Sequence, residues 1–103
     1  MAAKGYWICR VQVHDGEAYA EYVAAANPVY SAHGGRPIVR SGQYQGVEGT
    51  SRPRNVVIEF PSYQAALDCY NSSEYVAARA IRQRVADADI VIVEGYEAPQ
   101  PSA

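Results

Sequence analysis

The stretch Ser31–Gly42, SAHGGRPIVRSG, decides how this chain is read. It holds one of the two histidines, the pair Gly34-Gly35, and two arginines four apart, Arg36 and Arg40. A phosphate-cradling loop has a similar look, but it carries Lys followed by Ser or Thr and opens a helix. No Lys-Ser/Thr follows here, and the flanks are reversed. Upstream, Tyr19, Tyr22, Val23 and Ala26 recur at helical spacing. Downstream, RPIVR reads as a strand. The stretch is therefore a helix end, a turn and a strand start. His33 ends the helix, where a protonated imidazole suits the negative end of the dipole. One of the two glycines takes positive φ as the cap.

Working outward, GYWICRVQVH (Gly5–His14) is aromatic and β-branched and reads as a first strand. Asp15 is placed to cap the helix that follows, with Glu17 in its first turn. Pro28 interrupts the helical pattern, which predicts a kink or break near Asn27 before a last turn with Val29 and Tyr30. The second strand is expected from Arg36 to about Glu48, with Gly42 and Gly46 marking a bend or bulge. RNVVIEF, ending at Phe60, is a third strand, and the short polar loop TSRPRN makes the pair a hairpin. Ser62 caps a helix with Tyr63, Ala66, Leu67 and Tyr70 on one stripe. Asn71-Ser72-Ser73 breaks it, and another helix runs from about Ser73 with Ala78, Ile81 and Val85 inward. ADIVIVEGYE is the fourth strand. The order β-α-β-β-α-β predicts an α+β, ferredoxin-like fold: a four-stranded antiparallel sheet with helices on one face. One domain is expected over residues 1–97, with APQPSA (98–103) a flexible C-terminal tail.

Alternation divides the strands into two faces. Trp7, Cys9, Val11, Val13, Val39, Val56, Ile58, Phe60, Val91 and Val93 form an apolar set for the helices to cover. Tyr6, Ile8, Arg10, Gln12, Ile38, Arg40, Val57, Glu59, Ile90, Ile92 and Glu94 form the other. The centre of this second face is aliphatic, and no helix is left for it. Each Ile or Val left in water forgoes about 1.5–3 kcal/mol, and a contiguous patch of that kind marks an interface. A second copy is expected there, sheet to sheet, about a two-fold axis. Charges held between two sheets must pair, or must line a cavity reached by water or ligand. Arg10, Arg40, Glu59 and Glu94 therefore either fix the packing as internal pairs or surround a pocket for a small anionic molecule.

Composition narrows the function classes. Hydrophobic residues make up 49% of the chain and charged residues 19%, the balance of a globular protein. Net charge is -2, which argues against a surface built for nucleic acid or anionic membrane. Cys9 and Cys69 are far apart, in no metal or redox spacing, and read as buried reduced thiols. No apolar run has the length of a signal peptide or a membrane span, so a cytoplasmic location is expected. Two histidines without a carboxylate cluster predict no metal site. There is no Ser-His-Asp signature and no nucleophile elbow. The paired aromatics and basic surface of an RNA-recognition sheet are missing too.

The runs KGYWICRVQVHDGEAY, HGGRPIVRSG, RPRNVVIEFPSYQAALDCYNSSEYVAAR and ADIVIVEG together resemble the domain of unknown function 1330 family, over about Lys4 to Gly95. The resemblance implies a dimeric α+β barrel, in which the sheets of two copies close on each other. It implies no settled activity. Relatives in that superfamily include cofactor-free monooxygenases, muconolactone isomerases and haem-handling enzymes, and sharing a fold does not transfer their chemistry. The family often has Tyr where this chain has His33, which separates His33 from any family-wide role.

Two functions are expected from different classes. In the first, a homodimer holds a small acidic or phenolic metabolite between its sheets, and binds or converts it without a cofactor. The catalytic candidates are His33, Arg40 and Glu59, and the ligand-binding candidates are Tyr6, Arg10, Arg40 and Glu94. Arg40 holds the anion, while His33, Tyr6 or Glu59 handles a proton. In the second, the chain is a structural or interaction module whose charges only register the dimer. Arg52 and Arg54, flanking Pro53, read as a solvated loop or dimer rim. Tyr75, Arg79 and Arg82 share one helical stripe, with Ser73 at the helix start, and read either as surface or interface partners of Asp and Glu or as an anion site beside the helix N-terminus. Tyr19, Tyr22, Tyr63 and Tyr70 are assigned to packing.

Overall fold

In the computed structural model, which describes residues 3–97, β1 (Gly5–Val13) is a central strand. Its neighbours are β3 (Arg54–Phe60) and β4 (Ala86–Glu94), both antiparallel to it. The short edge strand β2 (Arg36–Arg40) pairs with β3, giving the order β2-β3-β1-β4. Helices α1 (Gly16–Ala32), α2 (Tyr63–Asn71) and α3 (Ser73–Val85) complete the chain order β1-α1-β2-β3-α2-α3-β4. This is the ferredoxin-like α+β arrangement. The tail predicted over 98–103 lies outside the described residues.

The core sits between the sheet and the helices, and Trp7 is its centre. Trp7 is fully buried, and its indole N–H donates to the Ala66 carbonyl of α2 at 2.9 Å. The rings of Tyr75, Tyr30, Phe60 and Tyr70 pack around it with centroids 4.9–5.5 Å away. Capping follows the sequence. The Asp15 carboxylate accepts from the Ala18 N–H, and the Ser62 hydroxyl from the Ala65 N–H. Ser72 ends α2 and starts α3: its hydroxyl donates to the Cys69 carbonyl and accepts from the Tyr75 N–H. Gly34, at φ +76°, turns the chain out of α1.

Several expectations are corrected. Pro28 lies inside α1 without ending it. Its ring costs one hydrogen bond to the Ala24 carbonyl, and both residues are exposed, so water replaces the bond. β2 is only five residues long and stops at Arg40, and residues 41–53 form a long connection to β3. The irregularity lies inside β2, between Pro37 and Val39, rather than at Gly42 or Gly46. Tyr63 is exposed and not part of the core.

The largest correction is the face of β4. Trp7 pairs with Ile92 and Cys9 with Ile90, so Ile90 and Ile92 lie under the helices. Val91 and Val93, opposite Ile8 and Tyr6, occupy the uncovered face. Glu94 shares the parity of Ile92 and pairs with Gly5, so it leaves the uncovered face, and Asp87 and Asp89 take places there opposite Gln12 and Arg10.

Candidate functional site

The bulge in β2 places the first site residue. Arg36 pairs with Glu59 on the uncovered face, as alternation predicts. One extra residue, Ile38, then shifts the register, so that Val39 lies opposite Val57 and Arg40 opposite Val56. A one-residue shift exchanges the faces of every later side chain. Arg40 therefore points to the helix side, where its guanidinium donates to the Asn27 side-chain oxygen of α1 at 3.4 Å. The expectation that Arg40 faces a second subunit is overturned by that register.

On this side a cleft opens between the sheet and helices α1 and α3. Its walls carry Arg40 from β2, Arg54 from β3 and Arg82 from α3, with Tyr19, Tyr22, Val23, Asn27 and Tyr30 from α1. Cys9, Val11, Val56 and Ile90 form the sheet floor. The cleft opens to solvent and its cavity is small, about 30 Å³. Its sheet floor is mostly aliphatic.

The arginines are unusual in their partners. Arg82 is only 6% exposed. Its guanidinium carbon lies 5.7 Å from the centre of the Tyr22 ring, and that of Arg54 lies 5.1 Å from the Tyr19 ring. The Nε atoms of both Arg54 and Arg82 are buried without a hydrogen-bond partner. The ion pairs among the described residues belong to Arg10, His14, Arg36 and Arg52, and none of them joins a carboxylate to Arg40, Arg54 or Arg82. A buried cation normally sits beside a carboxylate, because an unpaired one costs several kcal/mol.

Behind the arginines lies a hydroxyl network. The Tyr22 hydroxyl is 3.0 Å from that of Tyr30 and 2.7 Å from that of Tyr75. Burial is the main cause that pushes all three phenols above their ordinary value, so they stay protonated. Burial also pushes the Cys9 thiol up to about 12, against the opposing pull of Arg82 and Arg54. Cys9 is thus a neutral floor residue and not a thiolate nucleophile.

The remaining predicted residues lie elsewhere. On the uncovered face the Tyr6 hydroxyl donates to Glu59 at 3.2 Å, and Arg36 donates to the same carboxylate at 3.2 Å. Arg10 lies 3.6 Å from Asp89, Arg52 donates to Asp89 at 2.9 Å, and Arg10 also donates to the Thr50 carbonyl. Tyr6, Arg10 and Glu59 are therefore brought onto one face, but as members of internal pairs. Glu94 is not among them. His33 caps α1, with its Nδ1 3.0 Å from the Val29 carbonyl, and is not part of the cleft wall. Among the described residues no cluster of His, Cys, Asp or Glu is arranged to hold a metal ion. No described helix is long and apolar enough to cross a membrane.

The family model described as "Domain of unknown function (DUF1330)" matches residues 4–96. The chain belongs to the DUF1330 family. No curated protein matches it in sequence. Among solved structures, this DUF1330 chain is similar to the RPA0582 protein of unknown function from Rhodopseudomonas palustris, at 19% identity and a TM-score of 0.75, over 94% of this chain and 85% of that one. A dimeric ferredoxin-like protein of unknown function from Thermobifida fusca matches at 14% identity and a TM-score of 0.62, over 91% and 92%. SnoaB, a cofactor-independent oxygenase from Streptomyces nogalater, matches at 9% identity and a TM-score of 0.60, over 97% of each chain. At these identities the likeness shows the fold.

Sequence reasoning left Arg54 of the DUF1330 cleft in a solvated loop or dimer rim, and raised Arg82 only with Tyr75 and Arg79, as surface pairing or an anion site at the start of α3. Arg54 is the first residue of β3, with Val11 opposite, and so faces the helices instead of ending a solvated loop. Arg82 follows Tyr75 by seven residues and Ala78 by four, the spacing of the buried stripe of α3. An arginine inside an apolar stripe was the available signal.

Proposed function

We propose that this DUF1330 protein binds a small organic acid in the cleft between the sheet and helices α1 and α3, and does so as a homodimer formed through the uncovered sheet face. One observation carries the ligand reading: the two buried guanidinium Nε atoms, on Arg54 and Arg82, that lack a partner. With Arg40 they make a positive recess without a counter-charge, which an anion would complete. Arginine on the uncovered face is used differently. Arg10, Arg36 and Arg52 are each paired with a carboxylate of the same chain. That pattern, with Ile8, Val39, Val91 and Val93 exposed around it, suits a sheet-to-sheet contact whose arginines already have carboxylate partners. The Thermobifida fusca neighbour of the same fold is described as dimeric.

Conversion of the acid without a cofactor extends this reading by analogy with the oxygenase of the same fold. The test of binding is a panel of small carboxylic acids, followed by thermal unfolding of the wild type and of Arg82→Met and Arg40→Ala. An acid at a hundred times its Kd stabilises by about 2.7 kcal/mol, a shift of roughly 10 °C or more for a domain of this size. The expected result is a shift in the wild type that shrinks in both variants. If no acid stabilises the wild type, or both variants respond equally to it, the reading is wrong.

A further inference from the structure

The long connection between β2 and β3 lies outside the cleft. Residues 41–53 contain neither helix nor strand, and a loop of that length without structure of its own is uncommon in a compact domain and usually functional. This one is a shaped arm. At its base the Ser41 N–H donates to the Asn55 carbonyl, and the Asn55 side-chain amide donates to the Arg52 carbonyl. Farther out the two limbs meet: a methyl group on Gly46 would lie 2.6 Å from the Ser51 hydroxyl oxygen. Gly49, at φ +70°, turns the chain between them.

The arm is held on one side of the molecule. Arg10 donates to the Thr50 carbonyl at 2.9 Å, and Arg52 donates to Asp89 at 2.9 Å. Arg10 and Asp89 are opposite each other on β1 and β4, and both belong to the uncovered face. None of residues 41–53 lines the arginine cleft on the helix side. The arm is therefore a rim of the uncovered face and not a lid over the cleft.

Its surface has the character of a contact. Every residue from 41 to 51 is exposed. Residues 41–47 carry no charge, while Tyr44 is 53% and Val47 80% exposed. Tyrosine is enriched at protein interfaces, and charge is depleted at their cores. Area indicates the occupant. The sheet has strands of 9, 9, 7 and 5 residues. At about 3.3 Å per residue and 4.8 Å between strands, its plane covers roughly 480 Å². A specific interface takes about 800 Å² from each partner. A copy seated on this plane gains from further contact, and the arm offers it at the margin of the same face.

Resting on the homodimer reading above, we propose that the arm is the clasp of that dimer: each copy lays residues 43–49 on the other, and Tyr44 and Val47 become buried against it. Two-fold symmetry makes the contact reciprocal, so two arms act at once.

The experiment uses the full chain and reads the dimer Kd by light scattering across a dilution series, in wild type, Tyr44→Ser, Val47→Ser and the double variant. Both side chains are exposed in the protomer, so the variants keep the far-UV circular dichroism of wild type. The double variant is expected to raise Kd by about 30-fold or more, the effect of losing an interface anchor. Hydrogen exchange on the wild type gives a second readout that needs no variant: the amides of residues 43–49 are protected in the dimer and lose protection on dilution below Kd. A wild-type dimer whose Kd is unchanged in the double variant overturns the clasp and leaves the sheet-to-sheet dimer standing. Protection that survives dilution places the arm on its own chain and overturns the clasp too. Protection that appears only when acetate is added makes the arm a lid, with the same consequence. A wild type that is monomeric at micromolar concentration removes the dimer reading and the clasp together.

Discussion

Replacing Arg82 by methionine separates a functional from a structural arginine. Methionine follows the side chain as far as Nε and carries no charge. The change removes a buried donor with no partner, whose cost is about 1–3 kcal/mol. It also removes a cation without a carboxylate in a 6% exposed position, a further cost of several kcal/mol. Two favourable contacts are lost with it. Stacking on Tyr22 at 5.7 Å contributes about 0.5–2 kcal/mol. Attraction between the guanidinium and the Tyr75 hydroxyl is lost as well, worth at most the value of a charge-assisted hydrogen bond, about 1.5–3 kcal/mol. The balance favours the variant: Arg82→Met is expected to be more stable than wild type by about 1 kcal/mol without ligand, with Tm higher by about 4–8 °C. Urea unfolding at one fixed protein concentration measures this, because the stability of any self-associating chain depends on concentration. A variant destabilised by about 2 kcal/mol or more would show that the guanidinium is a structural donor. The argument that an unpaired arginine is retained for a ligand would then fail.

Other expectations follow from the same geometry. Burial pushes the Glu59 carboxyl up, but hydrogen bonds from Arg36 and Tyr6 outweigh it and hold the group below its ordinary value of 4.5. Its contribution is complete above the unfolded value and is lost as pH falls through the lower folded one, so urea midpoints measured from pH 5 downward should fall less in Glu59→Gln than in wild type. Val91→Glu puts a charge in the centre of the uncovered face, opposite Ile8, and light scattering should show a monomer with unchanged far-UV circular dichroism. Gly34→Ala meets a φ of +76° and a Pro61 carbon 2.8 Å from the new methyl, and should lower unfolding free energy by about 1–2 kcal/mol in urea titration.

The fold was legible because β1 separates its faces. Trp7, Cys9, Val11 and Val13 on one side, against Tyr6, Ile8, Arg10 and Gln12 on the other, leave one choice of core. The run ADIVIVEG offers no such contrast, since both parities of β4 are aliphatic. Its face is decided by pairing, Trp7 with Ile92, a fact that alternation within the strand does not contain. Arg40 was misplaced for a related reason. Nothing in RPIVR announces an extra residue at Ile38, yet that residue decides which side of the sheet the arginine serves. The assembled cleft was harder still. Arg40, Arg54 and Arg82 come from three separate elements and meet only through tertiary packing.

The division of charge between the two sides of the sheet is the strongest argument that they have different tasks. The chain carries a net charge of -2, so carboxylates were available to neutralise every arginine. On the uncovered face each of three arginines has one within reach: Glu59 serves Arg36, and Asp89 is shared by Arg10 and Arg52. One face can then be covered by a second copy with a carboxylate beside each of these arginines. In the cleft the same solution is absent, although Arg82 is the more deeply buried cation. Arg52 and Arg54 show the contrast within three residues, the first bonded to Asp89 and the second stacked on Tyr19 with its Nε free. A positive recess with low-dielectric walls, on an otherwise acidic molecule, concentrates the field where a small anion enters. The arrangement is costly for a scaffold and suited to a binding site whose counter-charge arrives with the ligand.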